Sequence, residues 1–185
     1  MLTRFSTRSL YYRLGFSNAE YDTTIVPFFV KVSGNSFAQM HPAGSYYDAA
    51  IYPVKSVLEA GGVITGGSDA PVETRDPRPL VNIARAVTRR TPGGPVLTPG
   101  QRITIRQALD SYTINAARAI GWERQTGSLE AGKSADFIVL NRDILKLAES
   151  GHAEAIEKAR VVETWFAGRN VYRAARGAAA KPHGG

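Results

Sequence analysis

The 185-residue chain contains no cysteine and only three histidines. Without thiols it can form no disulfide, no thiolate metal site and no cysteine nucleophile. That absence is compatible with a reducing compartment, and a cytoplasmic location is expected. No apolar run is long enough to span a bilayer, so no membrane partner is expected. A Gly-x-Ser-x-Gly elbow, a phosphate loop ending in Lys-Ser/Thr and a dinucleotide fingerprint are all missing. "TPGGPVLTPG" is glycine-rich, but its prolines and its lack of a following Lys-Ser/Thr make a poor phosphate cradle. Internal repeats are absent as well.

Acidic residues are missing from residues 1–19, "MLTRFSTRSLYYRLGFSNA". Wound as a helix, this stretch groups Leu2, Phe5, Tyr12 and Phe16 on one face with Arg4 and Arg8 elsewhere. A basic, serine-rich and acid-free leader fits an organelle-targeting segment, and a plain surface helix fits equally. The formal charge of the whole chain is +7, but the arginines are scattered rather than gathered with aromatics on one face. A solvated surface is expected, and no nucleic-acid partner.

What is present reads first as α/β. "TTIVPFFVKVSG" (23–34) has strand composition, weakened by Pro27. "YPVKSVLEAGG" reads as a helix with Pro53 in its first turn, a Val54, Val57 and Leu58 stripe, and glycines at its end. "GVITGGSD" is a short buried strand ending at Asp69. Strand and helix alternating in this way are half of a parallel repeat. A further helix is expected over about 78–90, with Leu80, Ile83, Ala84 and Val87 on one side. Thr104 and Gln107 have capping-box spacing, so another helix starts at Thr104 and is closed by Gly121; Ile105, Leu109, Tyr112 and Ala116 line its face.

Beyond Gly121 the pattern changes. "TGSLEAGKSADFIVLN" reads as strand, tight turn at Glu130–Lys133, strand. "LKLAESGHAEAIEKAR" reads as loop or short helix. "VVETWFAGRNVYRA" reads as a hairpin turning at Ala167 and Gly168. The tail "ARGAAAKPHGG" is small, basic and expected to be disordered. The division expected is 1–22 unassigned and basic, 23–121 α/β, 122–174 β-rich, and 175–185 tail.

Among the chemistry-bearing residues Asp69 stands out. Side chains at the carboxyl ends of parallel strands face an active-site mouth. A carboxylate there can bind a cation and take a proton from metal-bound water; it can equally N-cap the following turn. Both readings stand on the residues alone. His41, His152 and His183 show no ligand-pair spacing and read as ordinary surface or core residues.

In order along the chain, "GGVITGGSDAPVE", "ITIRQALDSYTINAARAIG", "GSLEAGKSADFIVLNRD" and "VVETWFAGRNVY" resemble the C-terminal part of metal-dependent amidohydrolases, closest to amidohydrolase family 3. That branch includes N-acyl amino-acid and N-substituted formamide hydrolases. The resemblance covers about residues 50–173. It implies a partial (β/α)8 TIM barrel, its last strands and helices, over 23–121, followed over 122–174 by part of a small β-sandwich. It further implies hydrolysis of a carbon–nitrogen bond in a small-molecule amide-type substrate. A divalent metal, zinc by expectation, would be held by Asp69, which would also be the catalytic proton shuttle. The family's His-x-His pair, bridging acid and two later histidines have no counterparts in this chain. One carboxylate cannot hold a catalytic zinc, which ordinarily needs three protein ligands. The chain is therefore expected to be a C-terminal portion, inactive alone. It would be completed by an N-terminal partner or a homo-oligomer, or else be a non-catalytic remnant.

Overall fold

The computed structural model describes residues 24–25, 52–67, 78–90 and 96–175. Its elements are strand β1 (Thr24–Ile25), helix α1 (Val54–Glu59), strand β2 (Val63–Ile64), helix α2 (Pro79–Thr88), helices α3 (Ile105–Tyr112) and α4 (Ile114–Ala119), strand β3 (Phe137–Leu140), helix α5 (Ile144–Glu149), and strands β4 (Val161–Phe166) and β5 (Arg169–Arg173). Two 3-10 turns, Pro99–Gln101 and Ala153–Lys158, complete the set. Among the described residues no helix is long and apolar enough to cross a membrane.

β1 and β2 pair in parallel, Thr24 beside Val63 and Ile25 beside Ile64. A parallel pair needs a crossover, and α1 lies in the connection. Val54 and Val57, one turn apart, are both buried, while Leu58 is partly so, as the stripe requires. α1 stops because Gly61 takes φ +82°, a left-handed conformation closed to most residues.

α2 begins at Pro79, whose missing N–H costs nothing in a first turn. It buries Val81, Asn82, Ile83, Ala84 and Ala86, with Leu80 and Val87 packed partly against the core. α2 packs against the Ala153–Lys158 turn, where Ile156 is wholly buried. Burying such a side chain contributes roughly 1.5–3 kcal/mol. One core cluster runs from Val54 and Ile64 through Ile83, Ile105 and Ala108 to Ile144 and Ile156.

The capping box is formed: the Gln107 N–H donates to Thr104 Oγ1 at 3.2 Å, and the Thr104 N–H to Gln107 Oε1 at 2.9 Å. The helix it starts does not run unbroken to Gly121. It breaks at Thr113 (φ −124°, ψ −99°) into α3 and α4. The cause is tertiary. The Ser111 carbonyl, which a continuous helix would offer to Asn115, accepts the Gly66 N–H at 2.9 Å. Asn115 Nδ2 in turn donates to the Ile64 carbonyl at 3.2 Å.

β3, β4 and β5 form one antiparallel sheet in that order. The hairpin turns at Ala167 and Gly168, both with positive φ (48° and 74°), the pair a type I′ turn demands. Glu130–Lys133 is a turn as expected, closed by the Lys133 N–H on the Glu130 carbonyl. Thr126–Leu129, however, is not a strand. Ser128 Oγ donates locally to Glu130, which favours a turn over a ladder, and Thr126 Oγ1 donates across to Asp136. α5 and the second 3-10 turn account for the "LKLAESGHAEAIEKAR" stretch. The basic leader (1–22), the 23–34 stretch other than Thr24 and Ile25, and the expected tail (175–185) other than Ala175 lie outside the described residues.

Candidate functional site

Strand β2 and the residues that follow it are held from two sides by helices. Ile64 is fully buried, so its side chain fixes which face of the strand points inward. Three polar contacts then fasten residues 64 to 67. Asn115 Nδ2 bonds the Ile64 carbonyl, the Gly66 N–H bonds the Ser111 carbonyl, and Asn82 Nδ2 reaches the Gly67 carbonyl at 3.4 Å. Asn82 Nδ2 also donates to the Tyr112 hydroxyl at 3.0 Å. Glycine is required at 66 because a Cβ there would stand 2.1 Å from Cε2 of the Tyr112 ring.

Asn82 is 1% exposed, on a helix whose other buried residues are apolar. Its Oδ1 has no hydrogen-bond partner among the described residues. Burial pushes the Tyr112 phenol above its ordinary value, and the Asn82 bond pulls the other way.

Asp69, the sequence-derived ligand and proton shuttle, lies outside the described residues, two positions beyond Gly67. His41 and His183 lie outside them too. His152 is exposed, with Nδ1 3.2 Å from Ser150 Oγ. Among the described residues no group of three or more His, Cys, Asp and Glu side chains comes together. They do not fit a metal ion, and the site they build is a scaffold for a strand end. A surface depression of about 430 Å³ is lined by Lys146, Leu147, Glu149 and Ser150, none of which belongs to that strand or its clasping helices.

Asn82, Tyr112 and Asn115 were not singled out as site residues by the sequence. The available signal was an asparagine flanked by Val81 and Ile83 inside an apolar helix face. Tyr112 lies in the apolar stripe that its spacing implies, and its hydroxyl also takes a hydrogen bond.

The amidohydrolase family model matches residues 22–172. N-substituted formamide deformylase of Arthrobacter pascens is 42% identical over 93 residues, covering 50% of this chain and 17% of that protein. The 5-methylthioadenosine/S-adenosylhomocysteine deaminase of Moorella thermoacetica is 33% identical over 99 residues, covering 50% of this chain and 21% of that protein. In fold, the chain is similar to E. coli guanine deaminase with a TM-score of 0.51 at 18% identity, over 67% of this chain and 30% of that one. The matched stretches thus span about a fifth of the curated relatives' length. With the family model matched over most of its residues, the chain belongs to amidohydrolase family 3.

Proposed function

We propose that this chain supplies the closing strands and helices of a (β/α)8 barrel, and part of the adjoining small β-sandwich, to a metal-dependent hydrolase of carbon–nitrogen bonds in amide-type small molecules. β1, α1 and β2 would be a strand–helix–strand unit of that barrel, and the β3–β4–β5 sheet the sandwich part. Asp69 would stand at the carboxyl end of the β2 strand as metal ligand and as the base that takes a proton from the attacking water. The remaining metal ligands, zinc's by expectation, would come from strands not encoded in these 185 residues.

The observation that carries this reading is the parallel pairing of β1 with β2 around α1. An antiparallel neighbour would have removed the strand-end mouth that the reading needs. The relatives named above, a deformylase and a deaminase by name, support carbon–nitrogen chemistry.

The chain by itself lacks the ligand set, so purified protein with added Zn²⁺ or Mn²⁺ is expected to turn over neither N-acyl nor formamide substrates. Metal-dependent turnover by the chain alone would refute its incompleteness. Co-expression with the N-terminal barrel segment of a family member is expected to give activity that Asp69→Asn abolishes; full activity in that variant would refute the role of Asp69.

A second reading, a subunit that completes a barrel with a separately encoded partner, is favoured by the exposed apolar residues Ile138, Phe166, Val171 and Tyr172 of the sheet. Native mass spectrometry of the protein from its own cells separates the two: a defined hetero-complex supports the subunit, and a solitary chain opposes it.

A further inference from the structure

Among the described residues the small sheet ends at β3 on one side and β5 on the other, and the two strands differ in chemistry. β5 carries Arg169 and Arg173 at its two ends, both exposed. Pairing β5 with itself about Val171 would set each Arg169 opposite an Arg173, and like charges directly opposite destabilise a ladder. Charged side chains of this kind keep further strands off an edge. β3 has no such guard: Phe137–Leu140 is wholly apolar, with Ile138 50% and Val139 39% exposed.

The direction of the β3 backbone follows from bonds at its two ends. The Ala135 carbonyl accepts the Gly168 N–H, and the Asn141 N–H donates to the Arg160 carbonyl, so the odd-numbered residues turn their backbone groups toward β4. Those groups alternate along a strand, so Ile138 and Leu140 turn theirs to the outer edge. A second copy running antiparallel, with its Leu140 opposite Ile138, would match them about a two-fold axis at Val139. The same register sets Asp136 opposite Arg142 of the second copy, twice over. Arg142 is exposed, and a cross-strand pair of opposite charge favours the register. Between residues 136 and 142 no like charges meet.

We propose that the outer edge of β3 is a homodimer interface, on which a second copy of this chain adds its own β3 antiparallel about Val139. The three-stranded sheet becomes one continuous sheet across both copies, closed at each end by the arginines of β5. The contact is isologous, so it stops at two copies and does not propagate into a fibre. A strand pair this short buries little area, and a Kd on the order of ten micromolar is expected. The pairing stands apart from the hydrolase reading, because it uses neither the β2 strand end nor any turnover.

The test is sedimentation velocity of the full chain from about 1 to about 200 μM, spanning that affinity. The expected result is a concentration-dependent shift from monomer to dimer. Amide exchange at Ile138 and Leu140 should slow as the dimer fills, while exchange in β5 stays constant. Ile138→Lys places a charge on the edge at a half-exposed position; it is expected to stay monomeric throughout, with an unchanged melting temperature. Arg142→Glu, which sets two acidic pairs across the axis, should weaken association at least tenfold. Val171→Lys on β5 should dimerise like wild type. A wild-type chain that is monomeric at every concentration overturns the proposal, whichever strand then occupies the edge. So does a dimer that survives Ile138→Lys, that is lost in Val171→Lys, or that leaves exchange at Ile138 and Leu140 unchanged. Should Ile138→Lys fail to fold, Arg142→Glu decides, and wild-type association there overturns it.

Discussion

The Gly66 N–H donates to the Ser111 carbonyl at 2.9 Å, and the helix that carries Ser111 breaks two residues later. The two facts are one exchange. A carbonyl leaves its place in the helical ladder to satisfy a strand amide, and Asn115, beyond the break, repays the strand by bonding the Ile64 carbonyl. Helix and strand end are thereby locked in register by hydrogen bonds between them.

Gly66→Ala tests that lock. The added methyl would meet the Tyr112 ring at 2.1 Å, and the ring is held by Asn82. Overpacking of this kind is expected to destabilise by about 1–3 kcal/mol. In urea melts the cost should shrink when the ring is removed as well, in Gly66→Ala with Tyr112→Ala, giving a measurable coupling between the two positions.

Thr104→Ala removes the side-chain half of the capping box at the start of α3, the Thr104 Oγ1 acceptor of the Gln107 N–H, and leaves the backbone half, Thr104 N–H to Gln107 Oε1. The expected loss is about 0.5–2 kcal/mol in chemical denaturation, and Thr104→Ser should recover most of it, since serine offers the same oxygen.

At the hairpin turn, Ala167 holds φ 48°, a conformation its Cβ opposes. Ala167→Asn creates the Asn-Gly pair favoured in type I′ turns and should stabilise by about 0.5–1 kcal/mol, read as a raised melting temperature. The Ala167 N–H, which donates to Asp136 at 2.8 Å, is untouched by the change.

Asp136 gathers three donors: the Ala167 N–H at 2.8 Å, Ser134 Oγ at 2.8 Å and Thr126 Oγ1 at 3.1 Å. The backbone bond from Ala167 first, and then Ser134, hold its carboxyl below the usual carboxylate range. A depressed acid stabilises the fold above its unfolded-state value, and that stabilisation fades as pH falls through the folded-state value. Wild type should therefore exceed Asp136→Asn in urea midpoint at neutral pH, with the gap closing as the solution is acidified below the ordinary carboxylate range. A gap independent of pH would show that the charge of Asp136 contributes nothing.

Signals contained within a few neighbouring residues were legible. The Thr104–Gln107 spacing, the Val54–Val57 stripe, the helix expected over about 78–90 and the Ala167–Gly168 turn are each settled by local backbone chemistry, and each is found where it was expected. The break at Thr113 was not legible, because its cause lies 47 residues away in Gly66, whose amide competes for a helix carbonyl. Thr126–Leu129, expected as a strand, is instead held by side-chain bonds, Ser128 to the nearby Glu130 and Thr126 to Asp136. At the candidate site titratable residues carry the clearest signal in the sequence. The described scaffold instead depends on two amides and a phenol, Asn82, Asn115 and Tyr112, whose value appears only once distant segments meet.

The fully buried Ile64 has one more consequence, for how this segment tolerates change in length. Side chains alternate along an extended chain, so inserting one residue between Gly62 and Val63 would turn Ile64 outward and bring the smaller Val63 into its socket. The same insertion would part Ile64, Gly66 and Gly67 from Asn115, Ser111 and Asn82 at a stroke. Lineages of this protein should therefore vary in loop length at many places, yet keep a constant count between Gly62 and Gly67.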